Sequence, residues 1–211
     1  MKTLQRDLTE TLVNRENYLF NYYYQQEGLQ ELIDSLQNYL EKSAIYAKKE
    51  DILVTSGTQQ ALYILSQVPF PNHKKTILLE QPTYHRMNDL VASLKLPYQT
   101  IERDFEGIDL ARLEELFKTG DIKFFYSISR FSNPLGLSYS TSEKQKIVKL
   151  AECYDVYIIE DDYDSEFRYA SRPIPALGEP GSDRPCRVRQ HLCEKPCPRT
   201  AHRPIWCCQM R

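Results

Sequence analysis

Apolar residues recur at two alternating periods along most of this chain. Leu29, Leu32, Ile33, Leu36, Tyr39 and Leu40 fall at helical spacing, which predicts an amphipathic helix over about 28–46. The short run 52–55 then reads as a strand, followed by a helix over 58–68 with Ala61, Leu62, Ile64 and Leu65 on one face. The pattern repeats: a strand at 76–80 and a helix over about 84–94, then a strand at 98–101. A helix carrying Leu110, Leu113, Leu116 and Phe117 follows, which Asp109 can cap. A strand at 123–128, a helix opened by Thr141 or Ser142, and a strand at 156–160 complete the series. Strands alternating with helices at this spacing predict an α/β fold, a doubly wound and mostly parallel sheet.

The periodicity stops at Leu177. All 15 tyrosines and all 8 phenylalanines precede that point, whereas five of the 6 cysteines and the single tryptophan follow it. The chain therefore divides into a domain at 1–177 and an unrelated segment at 178–211, in which neither strand nor helix period is visible and no order is expected. His191, Cys193, Cys197, His202, Cys207 and Cys208 lie there, but their spacing fits no common zinc module, so no metal site is expected. The net charge of −2 gives no reason to expect nucleic acid as a partner of this chain. Apolar runs of a few residues are far too short to span a membrane, and the N-terminal residues lack a signal-peptide core, so a cytoplasmic location is expected.

Candidate chemistry gathers at the C-terminal ends of the predicted strands, where ligands bind in open α/β sheets. Thr55-Ser-Gly-Thr-Gln-Gln60 joins the first strand to a helix N-terminus, and a glycine there lets backbone N–H groups converge on a phosphate. Such a turn also caps helices that bind nothing. Glu80-Gln-Pro-Thr-Tyr84 can aim a tyrosine ring across the sheet end, although a packing tyrosine is the commoner use. Ser129-Arg-Phe-Ser-Asn-Pro-Leu-Gly136 is a turn, and the last strand runs straight into Glu160-Asp-Asp-Tyr163. Four acidic residues, Glu160, Asp161, Asp162 and Asp164, packed at one strand end imply a cationic partner, unless they are only a solvated turn.

Together, Ser56-Gly-Thr-Gln-Gln-Ala-Leu62, Gln81-Pro-Thr-Tyr84, Asn133-Pro-Leu-Gly136 and Glu160-Asp-Asp-Tyr163 resemble fold-type I, class I/II pyridoxal-phosphate-dependent aminotransferases in order and spacing. The wording of the last two motifs resembles one branch in particular, the aminotransferase-like domain of MocR-type, GntR-family transcription regulators. The resemblance covers about residues 10–177. It implies pyridoxal 5′-phosphate as cofactor and an amino acid or keto acid as small-molecule partner, with full-length relatives acting as homodimers. It further implies that Gly57, Thr58 and Gln59 hold the cofactor phosphate and that Tyr84 stacks on the ring. Asn133 and Tyr163 would bond the ring's phenolic oxygen, and Asp161 would pair with the ring nitrogen, a contact that keeps it protonated as an electron sink. Asp162 should point to the opposite face of the sheet, and Glu160, Asp164 and Glu166 should serve structure.

The departures are as informative. The family's cofactor-binding lysine motif is missing, the only lysine after residue 149 being Lys195 in Cys-Glu-Lys-Pro. The substrate-gripping arginine, the C-terminal small domain and the regulators' winged helix are missing too. The chain thus reads as an incomplete copy with no catalytic residue of its own. Codons for Pro185 to Arg203, read one nucleotide later, can spell Arg-Val-Val-Tyr-Val-Asn-Thr-Phe-Ala-Lys-Ser-Leu-Ala-Pro-Ala-Leu-Arg-Ile-Gly, which resembles the missing lysine segment. On this reading 178–211 is a frameshifted stretch of family sequence.

Overall fold

The computed structural model describes residues 9, 26–42, 46–162, 189–191 and 206–209. The first helix, α1 (Gln30–Lys42), is shorter at both ends than its apolar period suggested and turns Ile33, Leu36 and Leu40 inward. They pack with Ala47 on Ile52 of β1 (Ile52–Thr55), forming a small cluster of their own. Then come α2 (Thr58–Gln67), β2 (Thr76–Gln81), α3 (His85–Ser93) and β3 (Tyr98–Asp104), which runs three residues further than expected. The extension forms a hairpin with a two-residue strand, β4 (Gly107–Ile108), the one antiparallel pair of the described sheet. The chain continues through α4 (Leu110–Lys118), β5 (Ile122–Ser127), α5 (Thr141–Cys153) and β6 (Tyr157–Glu160).

Two helix starts show how local chemistry sets these boundaries. Asp109 caps α4 as expected, its Oδ1 accepting from the N–H groups of Ala111 at 2.9 Å and Arg112 at 3.1 Å. The cap of α5 is Ser140, one residue before the expected start. Its hydroxyl accepts from the Glu143 N–H while Glu143 reaches back to the Ser140 N–H at 2.8 Å.

Strands β3, β2, β5 and β6 lie side by side in that order, all parallel. Both faces are covered, so β2, β5 and β6 are apolar almost throughout. Alternate side chains feed two cores. Leu78, Phe125 and Ile158 meet α4 and α5 on one side, whereas Ile77, Leu79, Phe124, Tyr126 and Ile159 meet Ala61, Leu62 and Leu65 of α2 and Met87 and Val91 of α3 on the other.

The segment after 177 departs from expectation. Two short strands stand within it: β7 (Arg189–His191), parallel to β6, and β8 (Trp206–Gln209), parallel to β1. A strand edge is satisfied by main-chain hydrogen bonds, which need no apolar alternation, so composition carried no sign of these pairings. Cys207 and Cys208 lie in β8 and His191 in β7, while Cys193, Cys197 and His202 fall outside the described residues. Among the described residues there is no group of three or more His, Cys, Asp or Glu able to hold a metal, and no helix long and apolar enough to cross a membrane.

Candidate functional site

The turn after β1 is shaped by Gly57, at φ 110° and ψ 167°, a backbone conformation open essentially to glycine alone. Thr55 Oγ1 donates to the Gly57 carbonyl at 3.3 Å. The Gln60 side chain folds back so that its Oε1 accepts from the N–H (2.6 Å) and hydroxyl (2.8 Å) of Ser56. A β-carbon built on Gly57 would project into open space with no atom within 4 Å. Thr58 and Gln59 form the first turn of α2, with their N–H groups at the positive end of the helix. The Gln59 side chain lines a groove of about 320 Å³ between α2 and α3 with Tyr63, Arg86 and Asp89, so its backbone is the part that stands at the helix mouth. Gly57→Ala is expected to destabilise the fold by about 1–3 kcal/mol through its backbone conformation alone, measurable as a lower urea midpoint at unchanged slope.

After β2 the chain turns through a cis Gln81–Pro82 peptide, and Tyr84 becomes the N-cap of α3. Its half-buried ring packs against the α2/α3-side core, edge-on to His85 at 5.2 Å. Gln81 Nε2 donates to Asn88 Oδ1 at 2.8 Å and ties this turn to the helix it opens.

Asp161 follows β6 and is buried. Its backbone N–H continues the ladder to the Ser127 carbonyl at 2.9 Å, and its Oδ2 accepts from the Tyr126 hydroxyl at 2.6 Å. Burial pushes the Asp161 carboxyl up to about 6, against which the Tyr126 hydrogen bond acts. The Tyr126 phenol is in turn pushed well above its usual range, by burial first, then by the charge and hydrogen bond of Asp161, with Glu80 and Tyr84 adding smaller effects. Tyr126 is thus bonded to Asp161 and shares with Tyr84 the core on the side of the sheet that α2 and α3 cover.

Asp162 points the other way, as strand alternation requires. Arg130 grips it with two hydrogen bonds, Nε to Oδ1 at 2.9 Å and Nη2 to Oδ2. Glu160 lies on that same opposite face and accepts from the Ser129 hydroxyl. Asn133 stands in the loop between β5 and α5, whose base is closed by Tyr139 N–H to Ser129 O at 3.0 Å and Ser132 N–H to Leu137 O at 2.8 Å. Tyr163, Asp164 and Glu166 lie outside the described residues.

Gly57, Tyr84, Asn133 and Asp161 thus follow the C-terminal ends of parallel strands, Thr58 opens α2 beside Gly57, and Gly57, Tyr84 and Asp161 are all attached to the α2/α3 side. The arrangement offers backbone donors at a helix mouth for an anion, an aromatic face, and a buried carboxylate for a cation. Sequence reasoning missed Tyr126, which is hidden in the apolar run Phe124-Phe-Tyr-Ser127. Its only signal was parity, since it shares a face with the residue that precedes Asp161 on that side of β6, Ile159. Glu80 and Arg103, a buried ion pair on the opposite face, were also missed. Arg103 lies two residues after Ile101 and so belongs to the same inward face of β3.

Known proteins share this framework. The sequence profile of the family "Aminotransferase class I and II" matches residues 2–181. The chain is 48% identical over 137 residues to the uncharacterized HTH-type transcriptional regulator YcxD of Bacillus subtilis, covering 65% of this chain and 31% of that protein. It is 33% identical over 142 residues to aromatic-amino-acid aminotransferase 1 of Thermococcus litoralis, covering 65% and 34%. In three dimensions it is similar to the crystal structure of a multiple substrate aminotransferase from Thermococcus profundus, with a TM-score of 0.70 at 29% identity, over 83% of this chain and 45% of that one. The chain thus spans about a third of the length of the curated relatives it matches. With a family profile over most of its length and the strand ends occupied as described, the chain belongs to the class I and II aminotransferases.

Proposed function

We propose that this aminotransferase-like domain binds pyridoxal 5′-phosphate across the C-terminal edge of its sheet. The observation that carries the reading is Asp161, a buried carboxylate on the face shared by Tyr84 and the mouth of α2. The residues present fit the cofactor: the open space in front of Gly57 suits a phosphate, the Tyr84 ring a pyridine, and Asp161 the protonated ring nitrogen. Asn133, with Tyr163, would bond the ring's phenolic oxygen. When bound, the ring supplies an electron sink for amino-acid chemistry. The protein's part is to hold the phosphate, keep the ring nitrogen protonated through Asp161, and exclude water from that contact. The small-molecule partner on this reading is an amino acid or its keto acid, in the cytoplasm, with full-length relatives pairing as homodimers. The test is titration of the full chain with pyridoxamine 5′-phosphate, followed by the absorbance of the ring. Saturable binding that Asp161→Ala weakens is expected, and absence of saturable binding would overturn the reading.

Attachment to a lysine is a separate matter. Two buried lysines have amines lowered by burial to about 8, a range that favours nucleophilic amines. Neither is placed for this site. Lys123 Nζ donates to the carbonyls of Leu65 (3.3 Å) and Ser66 (2.9 Å) at the far end of α2, and Lys144 lies near Glu160 and Asp162 on the opposite face. Borohydride reduction of the pyridoxal-phosphate complex followed by peptide mapping is therefore expected to find no stoichiometric pyridoxyl group on any one lysine.

A second reading is favoured by the 48% identity to a helix-turn-helix regulator: the domain senses an effector as part of a longer regulator. The frame-shift reading of 178–211 accompanies either. It rests on the break in composition at Leu177 and the spelling of the shifted codons, while β7 and β8 depart from the lack of order it implied. Resequencing the gene tests it, a frame without that lysine segment being the overturning result.

A further inference from the structure

On the face of the sheet away from the proposed cofactor lies an unusually dense set of buried polar groups. Glu80 at the end of β2 and Arg103 on β3 form an ion pair at 3.1 Å, each side chain 1% exposed. Glu80 Oε1 accepts from the hydroxyls of Ser127 at 2.5 Å and Tyr139 at 2.6 Å, and the Arg103 guanidinium lies 3.7 Å from the centroid of the Tyr139 ring. A buried pair of this kind is seldom retained for stability alone, since an apolar pair of similar volume often does as well.

What the guanidinium holds suggests its use. Arg103 Nη1 donates to the carbonyl of Ile128 at 2.8 Å, and Nη2 donates to the carbonyl of Leu137 at 3.2 Å. Ile128 and Leu137 are the two ends of the loop that carries Asn133. The loop is stiffened within by Phe131 N–H to Ser138 Oγ at 3.0 Å and Leu137 N–H to Ser132 Oγ at 3.2 Å, and Ser129 ties it to Glu160, the neighbour of Asp161. One planar, bidentate cation thus ties both feet of the loop to the carboxylate at the end of β2, while the separate Ser129–Glu160 bond ties the loop to β6. Only arginine has the fork to reach two carbonyls and a carboxylate at once.

We infer that Arg103, held by Glu80 and Tyr139, is a positioning residue that sets where Asn133 stands relative to the ring-binding edge. The inference rests on the reading of Asn133 as a ligand to the ring's phenolic oxygen. Arg103 itself touches no ligand and acts through the loop.

The experiment is a double-mutant cycle on the full chain, with pyridoxamine 5′-phosphate and its 3-deoxy analogue, which lacks the phenolic oxygen, as probes. Arg103→Lys keeps a cation beside Glu80 but cannot span Ile128 and Leu137. It is expected to weaken pyridoxamine 5′-phosphate about tenfold, as does Asn133→Ala, with the double variant little worse than either single one. The 3-deoxy analogue is expected to bind the wild-type and Arg103→Lys proteins alike. Equal binding of pyridoxamine 5′-phosphate by wild-type and Arg103→Lys, or a double variant weakened by the full product of the two losses, overturns the inference. Failure of the wild-type protein to bind at all overturns the proposed function and this inference with it. If circular dichroism shows Arg103→Lys unfolded, Tyr139→Phe, which removes one bond to Glu80 and keeps the ring under the guanidinium, takes its place in the same cycle. The same outcomes then decide.

Discussion

Asp161→Asn is expected to make the domain more stable near neutral pH and at the same time to remove most of its hold on the cofactor ring. Burial lifts the Asp161 carboxyl from 3.8 to about 6. At pH 5 the folded protein therefore retains a proton that the unfolded chain has released. Stability from this group is complete below about pH 4, falls as pH rises through about 6, and is level beyond. The two-unit rise corresponds to roughly 3 kcal/mol lost across that window. Asparagine cannot ionise, so the variant should lack this part of the fall, and its advantage over the wild type should appear between pH 4 and 7. Burial also raises the carboxyl of Asp162 to about 6, so the wild-type profile has two contributors and only the difference between the proteins isolates Asp161. The cofactor result has the opposite sign. A protonated ring nitrogen needs the ionised carboxylate, so binding by the wild type should strengthen as pH rises through 6, and Asp161→Asn should weaken it by about 100-fold through loss of a charge-assisted bond. Urea melts and ring-absorbance titrations over pH 4–8 measure both. A variant less stable than the wild type at pH 7, or one that binds equally well, contradicts the expectation.

Arg103→Met is expected to lower the unfolding free energy by about 3–5 kcal/mol, a larger loss than the backbone strain of Gly57→Ala would cause. The substitution leaves the Glu80 carboxylate buried without its counter-charge, along with the carbonyls of Ile128 and Leu137. Replacing both partners, Glu80→Met with Arg103→Met, should recover a large part of that loss, since no buried charge remains unpaired. Chemical denaturation of the two variants distinguishes a pair kept for stability from one kept for geometry. If the double variant is as unstable as Arg103→Met, the pair contributes net stability. If it recovers and still binds the ring weakly, the pair serves the loop.

The sheet was legible because its central strands are covered on both faces and announce themselves as apolar runs such as Thr76-Ile-Leu-Leu and Phe124-Phe-Tyr, each followed by a helical period. The candidate site was read as motifs at strand ends, and the structure sets Tyr84, Asn133 and Asp161 beyond the parallel strands β2, β5 and β6, with Gly57 beyond β1, which pairs with β8. Three things were hidden. Tyr126 reads as one more aromatic in a buried strand, and its hydroxyl matters only because Asp161 lies on the neighbouring strand. Arg103 sits among Glu102 and Asp104, both exposed, and looks like part of a solvated strand end until parity pairs it with Ile101. Strands β7 and β8 are held by main-chain pairing, which leaves no mark on side-chain composition.

The cradle at Gly57 and the carboxylate of Asp161 belong to different hydrogen-bonded ladders. β1 pairs with β8, whereas β6 pairs with β5 and β7. Among the described residues, therefore, no single ladder of backbone bonds fixes the span between the two anchors. Between them stands α2, whose Ala61, Leu62 and Leu65 share a core with Tyr126 and Ile159, so that on the proposed reading the gauge between phosphate and ring nitrogen is written in side-chain volume. A methylene added or removed beneath α2 would slide one anchor past the other without touching a ligand. Core substitutions there would be felt first as a change in which ligand length fits.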